Sequence, residues 1–118
     1  MKFKTNYDSV EDVFYSHSTK SKTDESIEIE EDIILDLDDH DNLAGVEIMY
    51  ASKLFSKLNS KITKKALSEA RSIGVEVKKY RNLIIITLAF RIGNEIVREK
   101  LPAFSTARYE SPLIADTA

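Results

Sequence analysis

The segment Leu83–Ile92 constrains the fold most, because it is apolar on both faces when it is extended as a strand. One face would carry Ile84, Ile86, Leu88, Phe90 and Ile92, and the other would carry Leu83, Ile85 and Ala89. Such a strand must be covered on both sides, by its own chain or by another subunit. We therefore expect a homodimer whose interface includes Ile84, Ile86, Leu88 and Phe90, with burial inside one chain as the alternative.

The segments on either side of this strand have strand patterns of their own. Residues 75–80 and 95–101 are joined to it by Arg81-Asn82 and by Gly93-Asn94. Glycine accepts the positive φ that a tight hairpin turn needs, so Gly93 favours a hairpin. The carboxyl-terminal part of the domain is therefore predicted to be a three-stranded antiparallel meander over residues 75–101.

The amino-terminal half is predicted to be a meander of short strands. Residues 2–7 and 12–17 form the first two, and a polar loop over residues 16–26 follows. From residue 27 to residue 37, apolar side chains recur at odd positions (27, 29, 33, 35 and 37) and carboxylates occupy most even ones, which is typical of one half-buried strand. A turn over residues 39–42 then leads into a strand over residues 43–50, with Val46 and Ile48 inward and Glu47 outward.

The period changes after Tyr50, where apolar spacing favours a short helix over residues 51–58 and a firmer one over residues 62–73. Ser60 or Thr63 could cap the start of the second helix, and Gly74 could end it. These patterns predict an α+β fold in one domain, residues 1–101: an antiparallel meander (1–52), one or two central helices (53–74) and the second meander (75–101). Residues 102–118 are predicted to form a tail.

Composition excludes several chemistries. Cysteine is absent and glycine occurs three times, so thiolate sites and glycine-rich phosphate loops are excluded. His17 and His40 have no partner at metal-ligand spacing. Asp36, Asp38 and Glu47 match the spacing of a calcium loop, but its sixth position is Asp41 and not glycine. We therefore expect no enzyme, no metal and no cofactor, and the lack of an apolar signal or membrane segment predicts a cytoplasmic protein.

The charge differs between the two halves: residues 1–60 have a net charge of −8, and residues 61–118 have a net charge of +5. The acidic half is expected to bind a partner, a small basic protein, through Glu28, Glu30, Asp36 and Asp38, with Phe104 and Tyr109 as a docking tail. The alternative is a nucleic-acid-binding regulator that uses the basic residues Lys61, Lys64, Lys65, Lys78, Lys79 and Arg81. A third alternative is a self-assembling protein without a small ligand.

A set of short motifs spans residues 7–52. They are Tyr7-Asp8, Asp12 with Tyr15, residues 33–38 (Ile-Ile-Leu-Asp-Leu-Asp), Gly45-x-Glu47-Ile48 and Ala51-Ser52. Together they resemble a small prokaryotic domain family of unknown function, and the second half resembles longer archaeal relatives. The resemblance implies a compact α+β meander without established catalytic residues. It also implies an antitoxin-like role, as the partner of a small ribonuclease-like toxin.

Overall fold

The computed structural model describes residues 3–70 and 72–105. Five antiparallel strands form the first sheet: β1 (Phe3–Asp8), β2 (Val13–Ser18), β3 (Glu25–Glu30), β4 (Ile33–Leu37) and β5 (Leu43–Met49). Their spatial order is β1-β2-β5-β4-β3, so β5 is central and β1 and β3 are the edges. The predicted hairpin between β4 and β5 is present.

The single strand predicted over residues 27–37 is instead a hairpin of β3 and β4. A two-residue turn, Glu31-Asp32, separates the strands, and a β-bulge lies between Glu28 and Glu30. A two-residue turn alone would pair odd positions with even ones. The extra residue of the bulge shifts the pairing by one position, so odd residues pair with odd residues beyond it. Ile27 therefore lies opposite Leu35, and both side chains face the core. The apolar residues therefore keep odd positions on both sides of the turn, which hides the turn from the sequence pattern.

Two short helices follow β5. The first, α1 (Ala51–Leu58), has the predicted bounds. The second, α2 (Lys64–Glu69), begins after Thr63, whose hydroxyl oxygen accepts a hydrogen bond from the Ala66 N–H at 3.1 Å. The predicted continuation to residue 73 and the cap at Gly74 are wrong, because Gly74 lies inside the next strand. Pairing of Ile73 with Phe90 outweighs the local helical pattern there.

The second sheet consists of β6 (Ser72–Tyr80), β7 (Leu83–Ile92), β8 (Glu95–Lys100) and β9 (Phe104–Ser105). Strands β6 and β8 pair with opposite edges of β7, and β9 pairs with β7 beyond the end of β8. Gly93 has φ 62° in the turn between β7 and β8, as predicted. The first residues of the predicted tail thus include a short strand, and residues 106–118 lie outside the described residues.

One hydrophobic cluster contains buried side chains from both sheets and from α1. The ring of Phe55 in α1 contacts Phe14 of β2 and Phe90 of β7 edge to face, with centroid distances of 5.6 and 5.1 Å. The cluster includes the four residues predicted to form a dimer interface, Ile84, Ile86, Leu88 and Phe90, which are at most 3% exposed. That choice of interface is corrected: the first sheet and the helices cover this face of β7 within one chain, which leaves these side chains no surface for a second copy.

The described residues therefore form mostly antiparallel sheet with two short helices, which confirms the predicted α+β class. In the same residues, no helix is both long and apolar enough to cross a membrane.

Candidate protein-binding site

Several of the motif residues fix turns. The Asp12 carboxylate accepts hydrogen bonds from the Tyr7 hydroxyl, from the Ser52 hydroxyl at 2.8 Å and from the Ser52 N–H at 3.0 Å. Ser52 lies in the first turn of α1, where backbone N–H groups have no partner inside the helix. Asp12 thus caps α1 from the turn between β1 and β2.

These contacts shift the pKa values of the two acidic groups in opposite directions. Burial alone would raise the pKa of Asp12, but hydrogen bonds from Tyr7 and Ser52 and the charge of Lys64 outweigh it and hold that pKa below its usual value. The pKa of Tyr7 is raised, chiefly by burial and to a smaller extent by the hydrogen bond to Asp12 and the negative charge of that carboxylate. Asp12 is therefore anionic and Tyr7 neutral at physiological pH, and both act as structural groups.

Asp38 has a similar structural role in the turn between β4 and β5. One of its carboxylate oxygens accepts hydrogen bonds from the backbone N–H groups of His40 and Asn42, both at 2.9 Å. Burial would raise the pKa of Asp38, but these bonds and the nearby His40 lower it below its usual value. The predicted contact residue Asp38 is therefore largely committed to its own turn.

Asp38, Asp39 and His40 also place three metal-ligand atoms within 4.8 Å of one another. The side chains of Asp39 and His40 are mostly exposed, and His40 Nδ1 lies 2.9 Å from an Asp39 carboxylate oxygen. Turn formation accounts for the position of Asp38, and exposed acidic groups are common at such turns. We do not assign this group as a metal site.

Other motif residues lie on the solvent-facing side of the first sheet. Tyr15 on β2 lies opposite Glu47 on the central strand, Glu47 lies opposite Ile34, and Ile34 lies opposite Glu28 on the edge strand. Asp36 lies in the adjacent row, opposite Gly45. We call this surface, with the carboxylates Glu28, Asp36 and Glu47 and the 43% exposed ring of Tyr15, the acidic face.

Gly45 allows the Asp36 side chain to pack closely over the backbone at the centre of the acidic face. A Cβ atom at this position would lie 2.9 Å from Asp36 Oδ2 and 3.2 Å from the backbone oxygen of Ser16. Beside this glycine, His17 Nε2 lies 4.0 Å from Asp36 Oδ2. The Ser26 hydroxyl donates a 2.6 Å hydrogen bond to the other oxygen of Asp36. Because Ser26 bonds the carboxylate and not the imidazole, this row does not form a nucleophile with its general base.

The structure brings only some of the predicted contact residues together. Glu28 and Asp36 share the acidic face, and Glu30 is exposed at the end of β3 beyond the bulge. Phe104 is 8% exposed and belongs to the hydrophobic core, so its predicted role in a docking tail is corrected. Tyr109 lies outside the described residues.

Sequence reasoning did not include Glu47 and Tyr15 among the contact residues. The alternation along residues 43–50 predicted that Glu47 points outward, and the motif contained Tyr15. Tyr15 and Glu47 are neighbours only because β2 pairs with β5 in a register that joins residues 32 positions apart in sequence. A local pattern predicts which face of its strand each residue occupies, but it does not predict this register or the cluster that the register forms.

The predicted nucleic-acid surface is divided in the structure. Lys64 lies near Asp12, beyond the carboxyl end of β5, whereas Lys79 Nζ contacts Asp41 and Asn42 before its amino end. The seven residues of β5 separate these positions by about 20 Å. Lys61 pairs with Glu95 at 3.6 Å. Lys65 lies with Lys64 on α2, and Lys78 and Arg81 lie with Lys79 near the end of β6.

Comparison with known proteins agrees with the motif-based resemblance. Residues 4–52 match the family model described as "Protein of unknown function (DUF2283)". The chain is also 29% identical over 101 residues to an uncharacterized protein of Methanocaldococcus jannaschii, covering 86% of this chain and 85% of that protein. No solved structure matches. The predicted similarity to a small domain of unknown function, within a longer archaeal-type chain, is thereby confirmed.

Proposed function

We propose that this chain is a non-enzymatic, cofactor-free binding module that captures a small basic protein on its acidic face, as an antitoxin-like protein would. One observation carries the proposal: Glu47 lies opposite the exposed ring of Tyr15, and Asp36 and Glu28 follow on the next two strands, on a sheet face that no other element of the described chain covers. A row of carboxylates beside an exposed aromatic ring suits a cationic protein surface, because complementary charge speeds encounter and the ring supplies contact area.

The similarity of residues 4–52 to a domain of unknown function is compatible with this proposal and adds no residue roles to it. A cytoplasmic location is part of the proposal, since an intracellular ribonuclease-like protein would be the target. Among the motif residues, Asp12 and Asp38 fix turns, and Ile33, Leu35 and Ile48 are buried in the core. Tyr15, Asp36 and Glu47 lie on the acidic face, which supports binding at that surface.

Affinity purification from the host with matched charge variants tests the proposal. Glu28→Lys, Glu30→Lys and Glu47→Lys together reverse the charge at exposed positions on and beside the acidic face. We leave Asp36 unchanged because it bonds Ser26 and borders Gly45. The control reverses the exposed Glu11, Glu69 and Glu95, which lie elsewhere and change the net charge equally.

The wild type and the control should retain the same small basic protein after nuclease treatment, and the acidic-face variant should lose it. Circular dichroism should show that all three chains are folded. Equal retention by both variants, or recovery of nuclease-sensitive polynucleotide alone, would contradict the proposed function.

A further inference from the structure

The solvent-facing side of the second sheet is the strongest feature that the proposed function does not use. Residues of β7 alternate strictly, with the even positions from Ile84 to Phe90 buried and the odd positions partly exposed. The outer side therefore presents Leu83, Ile85, Thr87, Ala89 and Arg91 along its centre. In residues 3–70 and 72–105, no element packs against this side.

Apolar and cationic side chains share this surface. Tyr80 is 65% exposed and Ile96 is 48% exposed at opposite corners. The described residues on this side include the cations Lys78, Arg91, Arg98 and Lys100 and the carboxylate Glu76, which pairs with Arg98 at 3.7 Å. We call this surface the basic face.

The composition of the basic face favours a protein over a nucleic acid. Sheet surfaces that bind single-stranded nucleic acid stack bases on several aromatic rings. Here the centre carries the aliphatic side chains of Leu83, Ile85 and Ala89, the ion pair of Arg98 with Glu76 joins the flanking strands across it, and the exposed ring of Tyr80 lies at one corner. Aliphatic side chains among an excess of cations suit an acidic surface that carries some apolar area of its own.

The chain itself carries a surface of that chemistry. The acidic face combines Glu28, Asp36 and Glu47 with the exposed ring of Tyr15 and the partly exposed Ile34. The two faces belong to different sheets, so one copy can offer either face to a neighbour. Contact between two different surfaces is heterologous, and it leaves one free face at each end of a pair.

We propose that the basic face of one copy docks on the acidic face of a second copy, in a weak head-to-tail contact. The size of the face sets the strength: β7 has ten residues, and three strands make a face of roughly 15 Å by 30 Å. Roughly 450 Å² per copy is well below the ~800 Å² per partner of a stable interface. The contact is therefore concentration-dependent, and a tighter basic partner would displace it from the acidic face.

Sedimentation equilibrium on the purified full chain tests this inference. The weight-average mass should rise above that of the monomer with protein concentration at about 50 mM salt and should return toward the monomer at about 500 mM, where charges are screened within a few ångströms. A chain that stays monomeric at high concentration and low salt would overturn the inference.

Neutralised variants identify the surfaces. Glu28→Gln with Glu47→Gln impairs the acidic face, and Arg91→Gln with Lys100→Gln impairs the basic face; all four positions are exposed. Each variant alone should associate about tenfold more weakly, because two screened charge contacts together are worth about 1.4 kcal/mol. Lys53→Gln with Lys57→Gln on α1 is the matched control and should behave like the wild type.

An equimolar mixture of the two impaired variants gives the sharpest result. Each variant keeps one intact face, so the mixture should form a one-to-one dimer that does not grow. Association that survives neutralisation of the acidic face would instead mean that two basic faces pair, and it would overturn the inference. Binding of an oligouridylate by the wild type but not by the basic-face variant, without self-association, would overturn it in favour of nucleic acid.

This inference goes beyond the proposed function and fails separately from it. Self-association is measured on the purified chain, whereas capture of a basic protein is measured in host extract. A wild type that associates but captures nothing would contradict only the proposed function, and the reverse result would contradict only the inference.

Discussion

Asp12 connects two parts of the chain that are forty positions apart in sequence. Its backbone has φ 58°, a left-handed conformation that costs a non-glycine residue free energy, and its side chain binds Tyr7 and Ser52. The hydrogen bonds to the start of α1 offset that cost. The motif residues Asp12 and Ser52 are thus explained by folding, whereas the motif residues Tyr15, Asp36 and Glu47 lie on the acidic face.

Replacing Asp12 by Asn should lower the free energy of unfolding by about 1–2 kcal/mol at neutral pH, because Asn loses the charge that caps α1. The pKa of Asp12 is lower in the folded state than the usual 3.8. Its carboxylate therefore contributes stability above that pH, and the contribution is lost as the pH falls through the folded-state pKa. Urea unfolding should show that the gap between wild type and Asp12→Asn narrows on acidification below about pH 4.

The matched control for this prediction is Asp39→Asn, at an exposed turn position beside His40. It should change the free energy of unfolding by less than about 0.5 kcal/mol. If the difference in free energy of unfolding between the wild type and Asp12→Asn stayed constant down to strongly acidic pH, the charge of Asp12 would not stabilise the fold.

At the scale of elements, α2 shows where local signals succeed and where they fail. The sequence offered Ser60 and Thr63 as caps, and the structure selects Thr63 through its bond to the Ala66 N–H. The predicted carboxyl end was wrong, since the apolar positions after Glu69 also fit the period of a strand. Ile73, Val75 and Val77 find partners on β7, and that long-range pairing decides the outcome.

Thr63→Ala should lower the free energy of unfolding by about 1 kcal/mol, because the Ala66 N–H loses its acceptor. Ser60→Ala, at an exposed position before the cap, should have almost no effect. Urea unfolding of both variants checks the assignment. If the two variants lost equal free energy of unfolding, or if Ser60→Ala lost more, Thr63 would not be the cap of α2.

At the scale of the whole molecule, the two sheets share one core through Phe55. Its ring contacts both Phe14 and Phe90, so the first sheet, α1 and the second sheet are packed in series. Aromatic pairs in this geometry contribute beyond their buried area. We therefore expect residues 1–101 to unfold as one cooperative unit, as a single domain would.

Phe55→Leu should lower the free energy of unfolding by about 1–2 kcal/mol, because the smaller side chain leaves a gap between the sheets. Native-state hydrogen exchange should show that the amides of β5 and β7 lose protection by the same amount. Leu58→Ala on the same helix, where Leu58 is 38% exposed, is the milder control. Loss of protection in only one sheet would show that the sheets unfold separately.

The sequence by itself determined the elements whose signals are local. The period of side chains predicted the antiparallel α+β class and the bounds of β7, and Gly93 marked its hairpin turn because glycine tolerates positive φ. Alternation also assigned Glu47 to the outer side of its strand. These features follow from the backbone preferences and the polarity of neighbouring residues, which act within a few positions.

Tertiary structure alone decided which segments meet. Both faces of β7 are apolar in sequence, and only packing of the first sheet and α1 showed that Ile84 to Phe90 form the inner side. The register of β2, β4 and β5 assembled the acidic face, and the turn at Glu31-Asp32 divided one predicted strand into two. The physical reason is that strand pairing and burial depend on contacts between residues distant in sequence, whose free energy no local pattern contains.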